Sequence, residues 1–212
     1  GSPLAGLGDV AMKQGRFKEA GQWYKQFLAF LEAEKTRGNP RGLGIFQDEY
    51  IDKYERAQLK QEIHIASIDG VVPKATLMRG LRPISPVGSE KAESEMQRLT
   101  LCVHFDFNSA ELKKQGRAQL SELAEAMLDP TLIGQFFLIE GHSDLFGEKD
   151  YNHELSRQRA RRVREFLSVQ GVDPKRLQTA GLGETRPLVL TGDKRAQQVN
   201  RRVEFVQLPV AE

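Results

Sequence analysis

At 212 residues, with a net charge of +2, 39% hydrophobic and 28% charged residues, the chain has the composition of one large or two small globular domains. No run approaches the ~18 apolar residues of a membrane-spanning helix, and a single cysteine, Cys102, excludes an internal disulfide and reads as a buried structural thiol. Charge is evenly spread: residues 1–99 hold 15 Lys and Arg against 13 Asp and Glu, and residues 100–212 hold 16 against 16, which argues against a nucleic-acid-binding domain.

The opening Gly1-Ser2 reads as the remnant of a cleaved tag, so the lack of a targeting segment leaves the compartment open. Leu4, Leu7, Val10 and Ala11 predict a short helix and Gly15 a break. Ala20, Trp23, Tyr24, Phe27, Leu28 and Leu31, at three- and four-residue spacing, predict a second helix on the same seam. The spacing of Leu7, Gly8, Ala11, Phe17, Ala20, Tyr24 and Phe27 resembles a single tetratricopeptide repeat, although that family's proline near the repeat end has no counterpart. An unrelated helical hairpin with no binding role fits equally well. Either would need its apolar face covered, so residues 45–68 are expected to form a third, capping helix and to complete a helical region over 1–68. Gly70, Pro73, Gly80, Pro83, Pro86 and Gly88 then interrupt any regular element. Residues 69–98 read as a linker with a short strand at VVPKATL, 71–77.

From 99 to 208 the pattern alternates. LTLCVHFDF (99–107) has Leu99, Leu101, Val103, Phe105 and Phe107 on one strand face, and Ser109 is a candidate N-cap for a helix reaching Leu128, stopped by Asp129-Pro130. A strand at 135–142 precedes a helix over Tyr151–Val169, which Gly171 closes. Strands near 178–183 and 200–208 follow. The fold class is α+β: two βα units and two further strands, giving a mixed sheet with helices on one face.

One residue breaks this pattern. At ~100° per residue, Arg159 shares the inward stripe of the last helix with Leu155, Val163 and Phe166, whereas Arg157, Arg161 and Arg164 fall on the solvent side. A guanidinium on a buried stripe must be paired or must line a polar pocket. Asp144 ends the second strand, and Gly147 is free to take a positive φ and turn the chain into the helix, so the two charges lie near one end of the strand-helix unit. They form a buried salt bridge or grip the ammonium and the carboxylate of a zwitterion; geometry alone leaves both open. His142, Asp144 and His153 do not have the spacing of a zinc set, and Asp144 lacks a second acid at a glycosidase separation.

The run IEGHSDLFGEKDYNHELSRQRARRVREFL, with FDFNSAEL before it and AGLGETRP and NRRVEF after it, resembles the OmpA-like peptidoglycan-binding domain over residues 99–208, with Ser143 where Thr is commoner. The resemblance implies a βαβαββ fold, no catalysis and no cofactor, and a grip on the diaminopimelate of the peptidoglycan stem peptide. Carried over by position, Asp144 and Arg159 are the principal ligand contacts. Asn152, Leu155 and Ser143 shape the pocket, with Arg202 and the backbone near Phe107 and Asn108 beside it. The expected protein is a periplasmic adaptor, attached to the outer membrane or an envelope complex, whose residues 1–68 meet an envelope protein partner; a scaffold with weak or lost wall binding is the alternative.

Overall fold

The computed structural model describes residues 3–38, 43–81, 98–106, 108–190 and 197–208, without the side chains of 43–46. Two compact units emerge, Gly1–Glu62 and Ile63–Glu212. None of the described helices is long and apolar enough to cross a membrane.

The first unit holds α1 (Pro3–Lys13), α2 (Phe17–Thr36) and residues 43–62 of α3 (Leu43–Asp69). The two-helix hairpin and its third helix form as the spacing predicts, but α1 buries a different stripe: Ala5, Gly8 and Ala11 face inward, while Leu7 and Val10 are exposed. The reason is Tyr24, which lies so close over Gly8 that any Cβ there would overlap its ring. A small-residue stripe therefore accepts a large aromatic. The Tyr24 hydroxyl donates to Asp9 at 2.8 Å, and Asp9 also accepts from Lys53 of α3 at 3.0 Å. Burial opposes the charge of Lys53, yet Asp9 and Glu49 raise its pKa above the ordinary lysine range. Tyr50 of α3 packs edge-on to Phe27 at 4.6 Å between centroids.

The second unit begins with residues 63–69 of α3 and α4 (Lys74–Leu81), followed by β1 (Arg98–Leu101), α5 (Lys114–Met127), β2 (Phe136–Gly141), α6 (Lys149–Val169), β3 (Leu177–Gly181) and β4 (Val203–Leu208). The sheet order is β1-β4-β2-β3, with β2 and β3 parallel and β4 antiparallel to both β1 and β2. This is the expected mixed sheet.

Three local expectations change. Residues 71–77 do not form a strand: Pro73 opens a helix, and its carbonyl accepts from the amides of Thr76 and Leu77. Within the unit that segment is pinned to α5, since Gln119 both accepts from the Val72 amide and donates to its carbonyl, and Glu122 accepts from the Lys74 amide. β1 stops at Leu101 because the next amide, on Cys102, donates to the Ser67 hydroxyl and not to a neighbouring strand. Cys102 is buried, which pushes its thiol up to about 11 and fits the structural role expected of it. Ser109 caps a turn, accepting from the Glu111 amide, and α5 starts five residues later with Lys113 in the cap position.

The two faces of the sheet differ in chemistry. Leu99, Phe205 and Ile139 lie opposite one another across β1, β4 and β2 and are fully buried. Their neighbours by one residue, Thr100, Glu204 and Glu140, are also opposite one another and also buried, on the other face. Two carboxylates directly across a ladder repel unless a cation intervenes. Arg98 supplies it, bonding both Glu140 and Glu204, while Arg202 donates to Glu204 at 2.7 Å. Burial alone would raise the Glu204 pKa, but Arg202, His142 and Arg98 hold its carboxyl well below the usual range.

Candidate ligand-binding site at the end of the sheet

Glycine sets the geometry. A Cβ on Gly141 would overlap the carbonyl oxygen of Ser156, so only glycine lets α6 come down against the end of β2. Gly147 adopts φ +101° and turns the chain into α6, as its place after Asp144 predicts. The Asp144 loop is then fastened on several sides. Ser143 is buried, its amide donating to Gly183 and its hydroxyl to the Asp144 carbonyl; Leu145 donates its amide to Gln197; Asn152 of α6 donates to the Phe146 carbonyl at 3.0 Å.

Arg159 is on the inward stripe of α6, together with Asn152, Leu155, Ser156, Ala160, Val163 and Leu167, and is 9% exposed. Its Nε donates to the Ser109 carbonyl at 3.0 Å and its guanidinium lies over the Phe105 ring at 5.0 Å. Both contacts hold the group flat without neutralising it. Among the described residues Arg159 has no ion-pair partner. Burial lowers its pKa, the Arg201 charge lowers it further, and Asp144 partly offsets both. It stays cationic near neutrality.

Asp144 is paired elsewhere. Its Oδ1 accepts from the Phe146 amide at 3.2 Å and its Oδ2 from Arg201 at 2.9 Å. The buried Asp144–Arg159 salt bridge, one of the two possibilities that the sequence left open, is thus not among the ion pairs of the described residues. The carboxylate is fixed and partly exposed, and the arginine is fixed and unneutralised. A pocket beside them is lined among others by Arg159, Arg201, Arg202 and Lys113, which make its wall cationic, and by His104 and His142, whose pKa values burial lowers. Such a surface suits an anionic group and, through Asp144, an adjoining cation.

The remaining predicted residues divide. Arg202 reaches the pocket but is committed to Glu204 and to the Arg186 carbonyl. Asn108 is exposed with φ +53°, a left-handed turn residue, and Phe107 lies outside the described residues. Leu155 sits on the buried stripe two helical residues beyond His153, which is exposed. His142, Asp144 and His153 do not gather; the one metal-like group among the described residues is Glu140, His142 and Glu204, and Arg98 already bridges its two carboxylates. Arg164 departs from its expected solvent position, donating to the Leu177 and Pro174 carbonyls.

Two features escaped the sequence. Arg201 stands beside Arg202 in NRRVEF, and nothing in that run says which arginine meets Asp144, 57 residues away. The Glu140–Arg98–Glu204 cluster joins three strands, and each of its members looks alone like an ordinary strand-end charge.

Residues 104–201 match the model of the OmpA family. The peptidoglycan-associated lipoprotein of Pseudomonas aeruginosa is 33% identical over 118 residues, which are 56% of this chain and 68% of that protein. The chain belongs to the OmpA family. The peptidoglycan-associated lipoprotein of Pseudomonas putida is 32% identical over 118 residues, again 56% of this chain and 69% of that protein. Outer membrane porin F of Pseudomonas fluorescens is 34% identical over 111 residues, 52% of this chain but only 33% of the porin. Among solved structures, the peptidoglycan-associated lipoprotein from Burkholderia pseudomallei is 32% identical with a TM-score of 0.46, covering 50% of this chain and 88% of that one. At the level of the family the OmpA-like domain is a non-catalytic anchor to the cell wall, and the relatives are named as a peptidoglycan-associated lipoprotein and an outer membrane porin.

Proposed function

We propose that the chain binds peptidoglycan non-covalently, gripping the diaminopimelate of the stem peptide between Asp144 and Arg159. The observation that supports this most is the unneutralised Arg159: a buried guanidinium kept flat by Phe105 and Ser109 but given no carboxylate of its own among the described residues. A ligand carboxylate completes it, and Asp144 takes the ammonium of the same residue. Ser143, Asn152 and Leu155 keep the Asp144 loop and α6 in register, and Arg202 lies on the pocket wall. In this reading the chain works in the periplasm, at the outer membrane or in an envelope complex, and the helical region of residues 1–68 presents a surface to an envelope protein. Exposed Leu7, Val10 and Phe30 favour such a surface, whereas Tyr24 is buried and does not contribute to it.

The test is co-sedimentation of the chain with Gram-negative sacculi beside Asp144→Ala and Arg159→Ala, each checked for folding by circular dichroism. The parent should be retained, and both variants should lose more than about tenfold in affinity, since each removes a charge-assisted contact. Equal retention of all three would make these charges structural and leave the helical scaffold as the function.

A further inference from the structure

The ion pair between Asp144 and Arg201 raises a difficulty that the clamp alone does not resolve: the carboxylate meant for a ligand ammonium already has a cation on it. We propose that Arg201 makes the site read both charges of its ligand at once, by occupying Asp144 in the free protein and turning to share the ligand carboxylate with Arg159 when an ammonium displaces it. This rests on the diaminopimelate reading above and adds a determinant of specificity to it.

Three observations carry the argument. The pair is exchangeable: the Arg201 side chain is 43% exposed and Asp144 17%, so water screens their attraction, and pairs of this kind are held only weakly. Arg201 has no second side-chain partner among the described residues, while its backbone is held in place where its carbonyl accepts from the Cys102 thiol at 3.6 Å. A guanidinium that leaves Asp144 therefore stays on the pocket wall. That wall also carries Arg159 and Lys113, and Arg201 disfavours the charge of Arg159, so the cations are close enough to repel.

The consequences differ by ligand. A diamine without carboxylates must evict Arg201 from Asp144 and leaves Arg201, Arg159 and Lys113 crowded with no anion among them. A dicarboxylate without amines meets Arg159 but leaves Asp144 and Arg201 paired, so only half of the site responds. A zwitterion supplies the ammonium that releases Arg201 and the carboxylate that receives it, and each half of the exchange favours the other.

The experiment is an NMR titration of the whole chain with three related probes: meso-diaminopimelate; 1,5-diaminopentane, the five-carbon diamine left when both carboxylates are removed; and pimelate, the seven-carbon dicarboxylate without amines. The parent should prefer diaminopimelate to either of the others by more than about tenfold. In Arg201→Gln the diamine should gain and diaminopimelate should lose, so that the ratio of the two affinities narrows by about tenfold. Arg201→Lys, which keeps the charge, should hold the ratio within about threefold of the parent. Because the pair is exposed, both variants should give the folded spectrum of the parent. An unchanged ratio in Arg201→Gln, with binding still abolished by Asp144→Ala, overturns this role of Arg201 and leaves the clamp standing. A parent that does not respond to diaminopimelate overturns the clamp, and the role of Arg201 with it.

Discussion

Two charged clusters lie a few residues apart on the second unit, and they are built to opposite specifications. On the polar face of the sheet, Glu140 and Glu204 sit against Arg98 and Arg202, all of them at most 8% exposed, with the carboxylates bonded to arginine. At the end of the same sheet, Asp144, Arg159 and Arg201 make one screened pair and leave one buried guanidinium unmatched. The first cluster is buried and matched charge for charge, with only Arg202 bordering the pocket and Arg186 reaching Glu140 from the surface, so its charges chiefly hold strands together. The second keeps an unmet electrostatic demand where a pocket opens. Buried charge by itself therefore does not mark a site; incompletely matched charge next to open space does.

The sharpest way to break this contrast is to empty the closed cluster. Glu204→Ala leaves Arg202 and part of Arg98 without a counter-charge in a dry environment, and should cost about 3–5 kcal/mol in a denaturant titration of the second unit. A loss below about 1 kcal/mol would mean that water reaches the cluster and that the two sites do not differ in kind.

Acid offers a second test. His64 is buried with neither ring nitrogen hydrogen-bonded to a described residue, and Arg202 and Glu204 are the charges that act on it. Burial foremost, and then the Arg202 charge, push its pKa down to about 4. The unfolded chain takes up this proton near pH 6.5 and the folded chain not until about 4, so the stability contributed by neutral His64 is present above about 6.5 and is lost as pH falls towards 4. The loss should approach about 3 kcal/mol across that window. His104 and His142, also lowered by burial, add to it in the same direction. Thermal melts between pH 7.5 and 4.5 measure the slope, and His64→Phe should flatten it; a slope unmoved by that change places the titrating groups elsewhere.

The smallest effect belongs to the open set. Asp144→Ala should change stability by less than about 1 kcal/mol, because the pair it removes is screened, even while it removes ligand binding. Unfolding by that variant would return Asp144 to a structural role and erase the difference between the clusters.

The sequence carried much of this, and the parts it hid have a common cause. Arg159 was legible because a helix has a fixed period, and a charge on the apolar stripe stands out from a single segment. Gly147 was legible for a similar reason, since the turn after Asp144 needs a residue that accepts a positive φ. Glu140 and Arg201 were not, because their meaning depends on partners brought together by strand order and register. The helix at Lys74–Leu81 was hidden differently: a proline that reads as a breaker within a Gly- and Pro-rich stretch is, at the entrance to a helix, a starter. Leu7 and Val10 misled because the bulkier residues were assigned to the inner face of α1, whereas that face packs Gly8 and Ala11 against Tyr24 and Ala5 against Phe27 and Leu31.

The placement of Glu204 directly across from Glu140 also bears on how the strands find each other. Side chains alternate with a period of two, so a slip of β4 by one residue would drive Glu204 into the layer of Leu99, Phe205 and Ile139 and turn Phe205 out of it. Arg98 would then lose one of its carboxylates at the same moment. The cluster thus acts as a proofreading mark, rejecting misaligned pairings of β1, β4 and β2 during assembly more severely than an all-apolar sheet would.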